Sequence, residues 1–141
     1  MTTIAKDFIW EMGHRLPQHQ GLCKNPHGHT YKLRIILKGK PNEKTGILID
    51  YYDVEQIANK TINKFNHAFV VEDGDAIMKR FLMENDFKYV VIPFASTAEN
   101  LCDVFANELI PQFNNHENIG NLVLRIYETS DVYAEKSYSL V

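Results

Sequence analysis

From Tyr31 to Lys38 the chain alternates. Tyr31, Leu33, Ile35 and Leu37 fall on one side and Lys32, Arg34 and Lys38 on the other, with only Ile36 out of step. A period of two marks a strand with one buried and one wet face, so the fold must contain a sheet that something covers. Phe8, Trp10 and Met12 alternate with Asp7 and Glu11 in the same way. The two runs read as an antiparallel pair, and Pro41 to Gly46, which includes Asn42, Lys44 and Thr45, is turn punctuation before Ile47 to Ile49.

The cover is supplied downstream. Asp53 is a good helix N-cap, and Val54, Ile57, Ala58, Thr61, Ile62 and Phe65 follow at helical spacing. Gly74 to Asn85 carries Ile77, Phe81 and Leu82 at helical offsets, and Lys88 to Ile92 reads as a short strand ended by Pro93. Ser96-Thr97-Ala98-Glu99 has the form of a capping box ahead of Leu101, Cys102, Phe105, Ala106, Leu109, Ile110 and Phe113, one apolar face more than four turns long. Leu122, Leu124 and Ile126 alternate before Glu128, and Val132 to Tyr138 is a second β run after a turn at Thr129 to Asp131. The order is strand pair, helices, strand pair.

Composition narrows the function. At 141 residues, with no linker, repeat or low-complexity stretch, residues 1–141 are expected to form a single domain. The net charge is −3 and no basic tract is present, which argues against nucleic acid as a partner. Apolar runs such as Tyr89 to Ile92 fall far short of the roughly 18 residues of a membrane span, and Met1 to Lys6 lacks the apolar stretch of a signal peptide. A cytoplasmic location with no membrane partner is the expectation. Two cysteines, Cys23 and Cys102, cannot build a disulfide framework.

Three places can carry chemistry. His27-Gly28-His29 opens the second strand and His14 closes the first. Positions i and i+2 of a strand share a face, so His27 and His29 project together, and antiparallel pairing brings His14 opposite them. Three imidazoles with an open fourth position is an arrangement of catalytic zinc; a His-x-His pair by itself also fits ordinary surface or core histidines. Cys23 lies in the loop Leu16 to Pro26 near Lys24 and His27, where neighbouring cations favour a reactive thiolate, and it is either a nucleophile or base or a fourth metal ligand. Cys102 sits in an apolar helical stripe and reads as a small buried hydrophobe. Glu128 shares parity with Leu122, Leu124 and Ile126 and should face the buried side. A carboxylate there needs a partner, such as the N–H-rich edge of a pterin or guanine ring. Asn66-His67 and Glu99 are also explained by helix ends.

Taken together, Phe8 with Gly13-His14-Arg15-Leu16, Cys23-x3-His27-Gly28-His29-x-Tyr31, Thr45 to Tyr51, Asn66-His67, Ser96 to Leu101 and Tyr127-Glu128-Thr129 resemble the ordered motifs of the 6-pyruvoyl-tetrahydropterin synthase / 6-carboxy-5,6,7,8-tetrahydropterin synthase family. The resemblance covers nearly the whole chain. It implies an α+β T-fold (tunnelling fold), an antiparallel sheet with helices packed on one face in the order β-β-α-α-β-β. It implies a homo-oligomer, commonly a hexamer of two trimers, with active sites between subunits. It implies Zn2+ held by His14, His27 and His29, Cys23 as proton-abstracting base, His67 as its relay partner, and Glu128 as pterin anchor that is sometimes counted with the relay. Thr97 matches a pterin-contacting position. The implied substrate is dihydroneopterin triphosphate. The Cys-x3-His-Gly-His spacing is more similar to the 6-carboxy branch of queuosine biosynthesis than to the pyruvoyl branch, which stays open as the alternative, as does a non-catalytic pterin-binding paralogue. Two departures stand out: Asn66 where many members carry Asp, and the stretch Gly74 to Ile92, which looks like an insertion.

Overall fold

A computed structural model describes residues 1–141. Strands β1 (Thr2–His14) and β2 (His27–Gly39) pair antiparallel along their whole length, with Phe8 opposite Leu33, Trp10 opposite Tyr31 and His14 opposite His27. Helix α1 (Tyr51–Phe65) follows, then β3 (Ala68–Glu72), α2 (Ala76–Glu84), β4 (Tyr89–Ile92), α3 (Ala98–Phe113), β5 (Ile119–Thr129) and β6 (Val132–Ser139). The six strands form one sheet in the order β4-β3-β1-β2-β5-β6. The α+β T-fold architecture is the one expected.

The expected strand order is extended by β3, which sequence periodicity did not announce. It pairs parallel with both β1 and β4, so the sheet is mixed, where a purely antiparallel one was expected. Five residues of Ala-Phe-Val-Val-Glu do not alternate because β3 is covered on both faces. Val70 joins the main core, while Phe69 and Val71 face the other way and pack with Met78 and Leu82 of α2. The stretch from Gly74 to Ile92 therefore forms one sheet edge together with the helix that packs beside it.

The main core lies between the sheet and the long helices α1 and α3. Trp10 stacks on Tyr31 with ring centroids 5.3 Å apart, and Phe105 of α3 sits between Trp10 and Phe65 of α1 at 5.3 and 4.9 Å. Leu33, Leu122, Leu124 and Ile126 complete the sheet side, fully buried. Helix α1 begins one turn earlier than expected: Asp50, not Asp53, is the N-cap, its carboxylate accepting from Tyr52 N at 2.8 Å. Ile47 to Ile49 is loop, and it drops Leu48 and Ile49 into the core. At the end of β2, Gly39 passes so close to the chain before β5 that an added Cβ would lie 2.1 Å from Asn118 O. No helix is long and apolar enough to cross a membrane.

Candidate metal centre and active-site cleft

The antiparallel register of β1 and β2 builds the site. Because His14 opposes His27 and Met12 opposes His29, three imidazoles share the helix-facing side at one end of the sheet. Their ring centroids lie 4.6, 4.9 and 5.3 Å apart, and one nitrogen from each falls within 4.8 Å of the other two.

Backbone carbonyls turn the rings. His14 Nδ1 lies 2.9 Å from Ser96 O, with Ser96 Oγ at 3.1 Å, and His27 Nδ1 lies 2.7 Å from Asn25 O. A carbonyl oxygen only accepts, so Nδ1 of each ring carries the proton and Nε2 keeps its lone pair. His14 Nε2 and His29 Nε2 are buried with no hydrogen-bond partner. Buried nitrogens without partners are costly unless something completes them, and a cation facing three imidazole lone pairs does so. Burial, reinforced by the neighbouring rings of His27 and His29, pushes His14 down to about 4 despite its bond to Ser96. Burial also lowers His29, with Glu128 pulling the other way. The neutral, ligand form of these two rings is thereby favoured. The donor set fits a divalent metal ion.

Ser96 does this work because α3 does not start as expected. Thr97 is its N-cap, accepting from Asn100 N at 3.1 Å, so Ser96 lies outside the helix, fully buried against His14. Glu99 is exposed in the first turn and closes no box onto Ser96.

The remaining candidates lie around the triad. Glu128 Oε2 is 3.8 Å from His29 Nε2, and its side chain is 29% exposed, at the mouth of the site and not buried as strand parity suggested. The two line a cleft of about 420 Å³ that opens where the β2–β5 ladder stops, at Lys32 opposite Tyr127. Thr97 spends its hydroxyl on the cap, while its neighbours Ala98 and Glu99 line a small recess shared with Glu128. His67 follows the C-cap Asn66 in a left-handed conformation, φ 61°, its N–H bonded to Glu11 O. It borders a second, larger groove of about 960 Å³ together with His29, Glu11 and the apolar face of α2. Asn66 Oδ1 holds His67 Nδ1 at 3.0 Å and also accepts from Glu11 N at 3.1 Å.

Cys23 lies in a 3-10 turn, Leu22–Lys24, partly exposed and outside the trio of imidazoles. Its carbonyl accepts from Leu16 N, and Arg15 reaches Lys24 O at 3.4 Å while pairing with Asp75. Cys102 is fully buried, as expected, and burial pushes its thiol up to about 11. Sequence reasoning missed Ser96, Asn25 and the Arg15–Asp75 pair. The first two act largely through backbone carbonyls, which carry no sequence signal; for Arg15, adjacency to His14 was the available clue.

Comparison with known proteins decides the family. The model of the 6-pyruvoyl tetrahydropterin synthase family matches residues 3–138. The chain belongs to that family. It is 31% identical over 142 residues to the 6-carboxy-5,6,7,8-tetrahydropterin synthase of Haemophilus influenzae, covering 96% of this chain and 98% of that one. It is 28% identical to the protein of the same name from Rickettsia conorii, covering 96% and 99%. Among solved structures, the 6-pyruvoyl tetrahydropterin synthase of Plasmodium falciparum superposes with a TM-score of 0.78 at 15% identity, covering 99% of this chain and 98% of that one. An uncharacterized protein from Wolinella succinogenes superposes with a TM-score of 0.80 at 16% identity, covering 96% and 97%. These two establish the fold alone.

Proposed function

We propose that this tetrahydropterin synthase family member converts 7,8-dihydroneopterin triphosphate to 6-carboxy-5,6,7,8-tetrahydropterin, with loss of triphosphate and acetaldehyde, as a zinc-dependent lyase of queuosine biosynthesis. The observation that carries the reading is the convergence of His14, His27 and His29, two of them with unpartnered Nε2 atoms, beside Glu128. Relatives bearing the 6-carboxy name across almost the full chain support that branch over the pyruvoyl one.

Each residue has a task. His14, His27 and His29 hold the ion, with the Ser96 and Asn25 carbonyls keeping Nε2 turned inward. When bound, zinc supplies Lewis acidity toward the side-chain oxygens of the substrate. Glu128 accepts N–H bonds from the pterin edge and so sets which carbon faces the bases. Cys23 removes a carbon-bound proton next to a hydroxyl, and His67 relays it. Asn66 keeps His67 oriented through the 3.0 Å contact to Nδ1, so loss of the family's common carboxylate removes charge from the relay but not its geometry. Thr97, the residue after Ser96, contacts the pterin. We place this activity in a single domain, in a cytoplasmic homo-oligomer, a hexamer of two trimers, whose neighbouring copies complete each site.

Incubating the zinc-loaded protein with 7,8-dihydroneopterin triphosphate and weighing the pterin product tests the proposal. The mass of 6-carboxy-tetrahydropterin is expected. The pyruvoyl mass would assign the other branch, and tight binding without any product would make the chain a pterin binder.

A further inference from the structure

The inserted stretch that ends in β4 reaches back to His67, the relay group of the proposed chemistry. His67 stands at the corner between α1 and β3 in a left-handed conformation, φ 61°. For a residue with a Cβ that conformation is strained and persists only where the surroundings hold it. Both ends of the peptide unit that precedes His67 are held. Its N–H donates to Glu11 O of β1 at 2.6 Å, and its carbonyl, that of Asn66, accepts from the Lys88 ammonium at 2.7 Å. Rotation of this peptide, which would release the left-handed φ, has to break both bonds.

The Lys88 ammonium also donates to Asn63 O at 2.7 Å. Asn63 lies in the last turn of α1, whose terminal carbonyls lack partners within the helix and attract a cation. Sheet pairing delivers the lysine to this place. Lys88 is the residue before β4, its own carbonyl accepts from Phe69 N at 3.0 Å, and Phe69 pairs with Tyr89 in the β3–β4 ladder. Lys88 is exposed and lines the groove of about 960 Å³ together with His67.

The same corner sets the ring. Asn66 Oδ1 accepts from Glu11 N at 3.1 Å, and a backbone N–H only donates, so the amide oxygen and not the NH2 lies 3.0 Å from His67 Nδ1. Nδ1 therefore carries the proton, and Nε2 keeps the lone pair that a relay needs. The amide fixes this tautomer as long as the corner keeps its shape, and Lys88 bonds the backbone carbonyl of that same residue.

We infer that Lys88 is a positioning residue for the proton relay: by holding the Asn66 carbonyl it fixes the peptide that carries His67, and so the direction of its imidazole. This rests on the pterin-synthase reading for the role of His67. The β3–α2–β4 stretch is thereby part of the catalytic frame. Loss of Lys88 acts on proton transfer and spares substrate binding, which Glu128 and the imidazole trio provide.

Lys88→Met keeps the apolar stem and removes the donors, whereas Lys88→Arg keeps a cation with donors. The zinc-loaded proteins are compared in two ways. In steady-state kinetics with 7,8-dihydroneopterin triphosphate, Lys88→Met should lower kcat about 10-fold and leave KM within about twofold, with Lys88→Arg recovering most of the loss. In proton–carbon NMR spectra of the imidazoles, where His67→Gln identifies the His67 signal by its disappearance, Lys88→Met should move that signal and leave the remaining histidines in place. Lys88→Arg should restore it. A His67 signal unchanged in Lys88→Met, or a loss carried by KM with kcat intact, would overturn the inference. A wild type that forms no product would refute the proposed function alone, and the NMR comparison would still decide whether Lys88 holds His67.

Discussion

His14 and Ser96 are separated by 82 positions in sequence and joined by a 2.9 Å contact from an imidazole Nδ1 to a backbone carbonyl. That single contact decides which nitrogen of a buried ring faces His27 and His29. Metal content therefore depends on all three rings acting together: purified protein should carry one divalent ion per chain, and His14→Ala, His27→Ala or His29→Ala should each lower occupancy sharply in elemental analysis. Full occupancy in any of the three would remove that residue from the ligand set.

Without metal, the same buried ring makes the fold acid-sensitive. His14 titrates at about 4 in the folded chain against an ordinary 6.5. Below 6.5 the unfolded chain takes up a proton that the folded chain refuses, so stability falls as pH drops from about 6.5 to about 4 and is unaffected above that window. The full effect is about 3 kcal/mol. Urea unfolding of chelator-treated protein at several pH values should show this slope, and His14→Gln should flatten it.

The two thiols should behave oppositely. Cys23 is partly exposed and Cys102 is fully buried. Iodoacetamide should modify Cys23 alone in the native protein and abolish turnover. Cys23→Ala should keep its zinc, and loss of the ion in that variant would move the residue into the coordination sphere. Cys102→Ala should stay active and lose about 1 kcal/mol of stability.

Asn66 and Glu128 separate proton relay from ligand anchoring. Asn66→Asp retains both hydrogen bonds of the native side chain and adds a charge beside His67 Nδ1, so kcat should change while pterin affinity stays the same, as steady-state kinetics and ligand titration would show. Glu128→Gln presents a donor where a second acceptor is needed and should weaken pterin binding by about 1.5–3 kcal/mol. Unaltered affinity in the Gln variant would refute the anchor.

Arg15 and Asp75 hold the loop bearing Cys23 and the start of α2 together. Two bonds of 2.7 and 3.1 Å join the guanidinium to the carboxylate, whose side chain is 3% exposed and also caps α2 through Met78 N. Asp75→Ala strands a partly buried guanidinium and removes the cap, and it should cost about 3 kcal/mol in thermal or denaturant unfolding. A loss below about 0.5 kcal/mol would show the pair to be incidental.

Much of the site was written in local periodicity. His27 and His29 share a face because side chains in any strand repeat every two residues, and Phe8, Trp10 and Met12 carry that parity forward to His14. The apolar stripes of α1 and α3, the burial of Cys102 and the motif order were legible for the same reason: backbone geometry makes spacing along the chain equivalent to direction in space. Tertiary structure alone decided the rest. The parallel insertion of β3 depends on coverage from both faces, which erases the alternation that would have revealed it. Thr97 rather than Ser96 caps α3 because Ser96 is drawn to His14 from across the fold, and Glu128 remains partly exposed because β5 leaves its ladder with β2 just before it. These outcomes are set by contacts between segments tens of residues apart, several of them through backbone carbonyls that every residue possesses, and so no pattern of side chains along the chain could have specified them.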